Sequence, residues 1–301
     1  MPDVSEMIAD LAKGFATPSR APILHTPDEY GLAYEDITFP SQDGVPLEAW
    51  WIPRRGSDKL VIANHPMQLN RYGVPSNLPQ FAIPGGNDFE VNYVPDYKNL
   101  HEAGYNVLTY DSRNFGHSGA ANGGLFTWGL YESRDVVGSM NYVKSRPDTR
   151  GMTIGLLSRC MGGNATFRAV SRYPELFADV RCIVSPQPIA PRAMAERNLE
   201  MMGAPDKFGD LDRQFKIVTS FTIDQLSPLE SAGNCHIPTF ITQVRDDVLT
   251  TPSDVQSIYD ALPVEDKKLF WIEGSTARWD GYTYFVKHPE QMIDWFDEHT
   301  K

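Results

Sequence analysis

Three features of the sequence predict an α/β fold built on a mostly parallel sheet. Short, continuous apolar runs such as Lys59-Leu60-Val61-Ile62-Ala63-Asn64 have the composition of strands buried on both faces. From residue 96 onward these runs alternate with helix-like stretches, and that alternation builds a sheet covered by helices on both sides. Near the start, two strand-like runs flank Ser41-Gln42-Asp43-Gly44, where Asp-Gly is a strong hairpin turn.

Taken in order, residues 5–16 read as a short amphipathic helix, after which Pro18, Pro22 and Pro27 enforce an extended path. Strands are expected at 32–39, 46–53 and 59–64, followed by an excursion rich in Pro, Gly and Asn from 67 to about 95. A helix at 96–103 is stopped by Gly104, and a buried strand follows at 105–110. Helix 130–145, strand 152–157, helix 161–173 ending before Pro174, and strand 180–185 continue the rhythm. Residues 186–234 break it with Met-rich and charge-rich helical segments. Strand 239–244, helix 253–262, strand 268–272 and a final helix at 290–298 complete eight strands. The expected organisation is an N-terminal extension at 1–33 and one domain at 34–301, with 186–234 inserted as a lid over the strand ends.

At 301 residues the chain can bury a large core. A net charge of −12 spread along the chain argues against a nucleic-acid surface, which needs clustered Lys and Arg. Residues 1–13 lack the basic and apolar regions of a signal peptide, and no run approaches the ~18 apolar residues that span a membrane. The three cysteines, Cys160, Cys182 and Cys235, show neither disulfide framework nor metal-ligand spacing, so neither metal nor cofactor is expected and the cytoplasm is the expected location. The expected partner is a small-molecule substrate; a homo-oligomer stays open.

Ligands of such sheets bind where strands end. The strand at 152–157 runs into Ser158-Arg159-Cys160-Met161-Gly162-Gly163 and then a helix. This matches the nucleophile elbow G-x-S-x-G with serine in its first place and cysteine in its third. The strained strand-to-helix turn demands small residues two positions either side of the nucleophile, and Ser158 and Gly162 meet that demand. Cys160 then stands at a helix N-terminus, where the dipole favours a thiolate. The Met161 N–H stands where an oxyanion would form. The ordinary fate of a lone cysteine is burial in a core; the ordered strand, elbow and helix weigh against it here.

On these motifs the chain resembles the α/β-hydrolase superfamily over roughly residues 34–300, and is similar to its dienelactone-hydrolase-like members that use cysteine. It also resembles polyketide acyltransferase-like proteins of secondary metabolism. The resemblance implies the α/β-hydrolase fold, with a mostly parallel eight-stranded sheet, helices on both faces and a small lid insertion. Asn64-His65-Pro66 resembles the family's His-Gly motif at the oxyanion hole, which implies that Met67 supplies the second N–H. Asp111-Ser112-Arg113-Asn114-Phe115-Gly116-His117-Ser118 resembles the structural D-x-R-G-x-G-x-S loop beneath the elbow. The segment from Gln243 to Pro252 resembles the one bearing the triad acid, and register favours Asp247 over Asp246.

The departure is the histidine. The loop where the family places it reads Glu273-Gly274-Ser275-Thr276-Ala277-Arg278-Trp279-Asp280-Gly281-Tyr282, with Ala277 or Arg278 at the expected place; Ala277 is taken as that position. Cysteine depends less on a base than serine, because a depressed pKa supplies thiolate directly. Among the seven histidines, His65 and His117 fit structural roles, and His288 is the first alternative base to test. Trp128, Trp279 and Tyr282, with His65 at the strand end, are candidates for the wall of an apolar acyl pocket.

The expected function is acyl transfer by a hydrolase, thioesterase or acyltransferase on a small-molecule ester, lactone or thioester through a Cys160 acyl-enzyme. The alternatives are a catalytically impaired hydrolase-fold binding protein, or an engineered variant that lacks its catalytic histidine at Ala277.

Overall fold

The computed structural model describes residues 4–83 and 85–301. Residues 1–3, in the extension assigned to 1–33, and residue 84, in the excursion 67–95, lie outside the described residues. Eight strands form one sheet: β1 (Glu35–Pro40), β2 (Pro46–Ile52), β3 (Lys59–Asn64), β4 (Asn106–Tyr110), β5 (Thr153–Ser158), β6 (Val180–Pro186), β7 (Thr239–Val244) and β8 (Lys267–Ile272). Their spatial order is β1-β2-β4-β3-β5-β6-β7-β8. The β1–β2 and β2–β4 pairs are antiparallel and the remaining pairs parallel. The first turn is tied by the Gly44 N–H to the Ser41 carbonyl, 3.1 Å, with Gly44 at φ 86°.

Period-2 alternation divides the core between the faces of the sheet. In β3, Val61 and Ala63 join one apolar cluster, while Leu60 and Ile62 join the other. The first face is covered by α2 (Val94–Glu102) and α11 (Pro289–His299), through Tyr97, Leu100, Met292 and Phe296. The second is covered by α3 (Ser133–Ser145), α4 (Met161–Arg172) and α8 (Pro252–Ala261), through Val136, Phe167, Val255 and Ile258. Among the described residues no helix is long and apolar enough to cross a membrane.

Residues 186–234 carry α5 (Pro191–Met201), α6 (Phe208–Thr219) and the short α7 (Leu229–Ala232). The N-terminal helix α1 (Val4–Gly14) packs against α6, so the extension closes on the insertion rather than hanging free. Ile8, Leu11, Ala12 and Phe15, spaced on one helical face, turn toward the core. Two local elements differ from the sequence expectation. The excursion 67–95 contains a two-stranded ribbon, Gly73–Val74 against Val91–Asn92, too short for a period-2 pattern to reveal. The stretch after β8 is partly helical, with α9 (Arg278–Tyr282) and α10 (Tyr284–Lys287). The Ser275 hydroxyl accepts the Ala277 N–H at 3.0 Å and so ties the entry to α9.

Candidate active site

The elbow is fixed by the ends of three neighbouring strands. The Arg159 N–H donates to the Asn64 carbonyl of β3 at 3.0 Å, and the Cys160 N–H donates to the Pro186 carbonyl of β6 at 2.9 Å. Ser158 is locked from the side by Asn64 Nδ2, 2.8 Å from its hydroxyl. Cys160 is thereby held at φ 50°, ψ −115°, outside the wells open to ordinary side chains. The demand for small neighbours is physical. A Cβ on Gly162 would lie 2.7 Å from the Asn64 carbonyl oxygen, and one on Gly163 would lie 2.6 Å from the Ser185 hydroxyl. A side chain at Gly162 meets backbone that cannot give way without moving α4 off the sheet, whereas one at Gly163 first displaces the Ser185 hydroxyl.

Cys160 is only 1% exposed, yet its side chain lines a cavity of about 210 Å³. Leu11 and Phe15 of the N-terminal segment, Met67, Met194 of α5 and Leu249 supply apolar walls, and Arg278, Trp279 and Tyr282 complete the lining. A second cavity of about 510 Å³ adjoins it through Gly14, Gln68, Ile83 and Trp279. Among the described residues, neither the Met161 nor the Met67 N–H donates to another group; Met161 opens α4 directly after Cys160, and Met67, in the loop after β3, lines the same cavity as the thiol. That loop is anchored by Asp111, which accepts the Arg71 N–H at 2.8 Å and the Arg71 guanidinium at 2.6 Å.

Asp247, at the turn after β7, is 3% exposed and fully engaged. It accepts from the Leu249 N–H at 2.9 Å, the Thr250 hydroxyl at 2.8 Å and Gln243 Nε2 at 3.2 Å. Its fourth partner is Arg278 Nη1 at 2.5 Å. The side chain that reaches Asp247 from the segment after β8 is therefore that of Arg278, one residue on from Ala277. Ala277 caps α9 and does not line the Cys160 cavity.

Arg278 spends its other donors locally. Nη2 donates to the Gln187 carbonyl, and Nε donates to the Tyr282 hydroxyl at 3.0 Å. Burial works against the guanidinium charge, but Tyr282, Asp247 and Cys160 outweigh it and hold its pKa well above the ordinary value. Tyr282 is buried beside the thiol. Desolvation holds its phenol well above its usual range, with Arg278 pulling the other way and Cys160 adding to the rise. The arrangement is a buried chain from Asp247 through Arg278 to Tyr282 and the cavity wall at Cys160.

The other sequence candidates separate from the site. His65 is buried away from the cavity. Its Nδ1 lies 2.6 Å from the Pro66 carbonyl, and its Nε2 accepts the Ser112 N–H at 2.8 Å, so it joins two loops. Trp128 donates Nε1 to the Phe15 carbonyl at 2.8 Å, supporting the wall from behind without lining the cavity. His288 is half exposed and stacks on Tyr284. None of the seven histidines lines the cavity. Trp279 does line it and is fixed by its Nε1 donating to the Ser76 hydroxyl at 2.9 Å. Sequence reasoning missed Leu11, Phe15 and the part played by Arg278. The first two had a signal in their helical spacing, and Arg278 with Tyr282 in their i,i+4 separation. Among the described residues no group of three or more His, Cys, Asp or Glu is placed to hold a metal ion.

No family model matches the chain. It is 22% identical over 242 residues to an uncharacterised 31.7 kDa protein of Escherichia coli, covering 66% of this chain and 82% of that one. In three dimensions it superposes on an esterase of Pyrococcus furiosus with TM-score 0.72 at 22% identity, covering 95% of this chain and 99% of that one. It superposes on an α/β hydrolase of a Penicillium species with TM-score 0.59 at 18% identity, covering 89% and 99%. Strand order, elbow and these likenesses agree: the chain has the α/β-hydrolase fold.

Proposed function

We propose that this protein is an acyl-transfer enzyme that cleaves or moves a small-molecule ester, lactone or thioester through an acyl group carried on Cys160. The observation that carries the reading is the thiol held in a strained elbow on the wall of an apolar cavity; in its support, the Met161 and Met67 N–H groups have no partner among the described residues. Strain of this kind costs about 1–3 kcal/mol and persists where the surroundings over-determine it. Attack of the Cys160 sulfur on the carbonyl carbon, with its proton passed on toward the leaving group, gives a tetrahedral oxyanion that the Met161 and Met67 N–H groups would receive. Collapse expels the alcohol or thiol and leaves the acyl group on sulfur. Water or another acceptor then regenerates the thiol. The cavity of about 210 Å³ at the thiol suits a short, apolar acyl group, and the adjoining cavity of about 510 Å³ leaves room for the rest of a small-molecule substrate. Without an imidazole on the cavity wall, water is a poor second nucleophile. That favours transfer to a better acceptor beside simple hydrolysis, and keeps thioesters and the acyl transfers of secondary metabolism in the substrate class.

The test is a burst experiment. The protein with a p-nitrophenyl ester of a short fatty acid should release close to one equivalent of nitrophenol and gain one acyl group on Cys160 by mass spectrometry. Cys160→Ala should remove both, and Cys160→Ser should be almost as inactive. Iodoacetamide should alkylate Cys160 before Cys182 and Cys235, because burial pushes those two thiols up to about 12 and about 11. Tight ligand binding with neither burst nor adduct would instead mark a binding protein on a hydrolase fold, the reading favoured by the missing imidazole.

A further inference from the structure

An acyl-enzyme mechanism has to move a proton from the thiol to the leaving group and later return one to sulfur. In this site no histidine is available for it. Arg278 is excluded, since a guanidinium held well above its ordinary pKa neither accepts nor releases a proton. Asp247 does not line the cavity and is engaged by its own turn and Arg278. Cys160, Arg278 and Tyr282 all line the one cavity, and of these three Tyr282 is the one with an exchangeable O–H. Its oxygen accepts the Arg278 Nε–H at 3.0 Å, which leaves its own hydrogen free to point into the cavity.

We propose that Tyr282, oriented by the Arg278–Asp247 pair, is the proton shuttle of the acyl transfer and takes the part a histidine would play. The proposal rests on the Cys160 acyl-enzyme reading. In acylation the Cys160 sulfur bonds to the carbonyl carbon as the bond to the leaving oxygen or sulfur breaks. The thiol proton passes to the Tyr282 oxygen while the Tyr282 hydroxyl proton passes to the leaving atom, so the phenol ends as it began. Deacylation runs the same exchange in reverse, with the acceptor's proton going to the Tyr282 oxygen and the Tyr282 proton going to sulfur. The phenol gains anionic character midway, and the Arg278 guanidinium against its oxygen is placed to stabilise it. Arg278 and Asp247 act through Tyr282 and are positioning residues; Tyr282 touches the reacting atoms.

Leaving-group dependence tests the assignment. A p-nitrophenolate departs without a proton, whereas an alkoxide needs one. Tyr282→Phe should therefore lower acylation of Cys160 by an alkyl ester about 10²–10⁴-fold, and lower acylation by the p-nitrophenyl ester at least tenfold less. Equal losses for both esters, or no loss, would overturn the proposal, because a merely structural role moves both alike. Wild type supplies a second arm that does not depend on how the variant folds. Its acylation rate should vary little with leaving-group pKa across a series of esters, and a steep dependence counts against the shuttle. Absence of any Cys160 adduct in wild type with every ester would overturn the acyl-enzyme reading and the shuttle together. A normal adduct with a steep leaving-group dependence would overturn the shuttle alone.

Discussion

The Arg278–Asp247 pair can be weighed by removing its cation. Arg278→Met keeps most of the side-chain volume and deletes the guanidinium, leaving Asp247 buried with its charge unpaired. Both side chains are 1% exposed, so water cannot replace the lost partner. Breaking a buried ion pair from one side typically costs about 3–5 kcal/mol. Asp247 retains the Leu249 N–H, the Thr250 hydroxyl and Gln243 Nε2 as donors, which places the expected loss at the lower end, about 3 kcal/mol. For a chain of this size that corresponds to a fall in Tm of roughly 6 °C. The double variant Arg278→Met/Asp247→Asn removes both charges and should recover most of the loss. The double-mutant cycle should then give a coupling of about 2 kcal/mol. Thermal and urea unfolding of the four proteins at neutral pH measure it directly. If Arg278→Met alone lies within about 1 kcal/mol of wild type, or the two single losses simply add, the pair does not hold the site together as argued.

Two further outcomes follow from buried or strained groups near the site. Asp254 of α8 binds the Ala190 N–H at the entry to α5 at 3.1 Å, and burial pushes its carboxyl from the ordinary 3.8 up to about 7. The folded state thus holds a proton that the unfolded state has released, so this group's contribution to stability should fall as pH rises from about 4 to about 7 and stay level above; Asp254→Asn should flatten that part of a Tm–pH profile, and an unchanged slope would contradict the assignment. At Cys160 the left-handed backbone inverts the usual order of small residues: Cys160→Gly should be more stable than Cys160→Ala by about 1 kcal/mol, because relief of 1–3 kcal/mol of strain exceeds the ~0.5–1 kcal/mol entropic cost of glycine, and a more stable alanine variant would show that the elbow is not strained.

The layout of the fold was legible because its signals are local and repeated. Each of the eight expected strands appears in the sheet to within a few residues, since continuous apolar runs between Gly, Pro and Asp-Gly punctuation have few other solutions. The elbow was legible for a different reason. Gly162 and Gly163 are forced by backbone approach to Asn64 and by contact with Ser185, so the spacing of small residues around Cys160 reports a geometry rather than a preference. What did not show was that Arg278 reaches Asp247. A loop of Ser, Thr, Ala and Arg carries no periodicity, and α9 exists because Ser275 ties its entry and Arg278 finds buried acceptors at Gln187 and Asp247. Those acceptors lie 91 and 31 residues away along the chain, beyond any local pattern.

In the proposed acyl transfer, the segment after β8 has to serve in place of an imidazole, which the cavity wall lacks. A histidine orients by one hydrogen bond to the acid and acts by another to the nucleophile. Arg278 reproduces the first bond, to Asp247, and cannot make the second as a base, so the chemistry has to pass to a neighbour it can position. Tyr282 stands four residues on, one helical turn along α9, where side chains at i and i+4 meet. A loop in place of α9 would not bring the two together. On the shuttle proposal, the short helix after β8 is the feature that makes an acid and a cation, neither able to shuttle a proton, the support of a phenol that would. Leaving-group dependence is the property in which an imidazole and a phenol so placed would differ most. The phenol is the weaker acid and the weaker base, and its advantage is confined to reactions in which both proton transfers occur together.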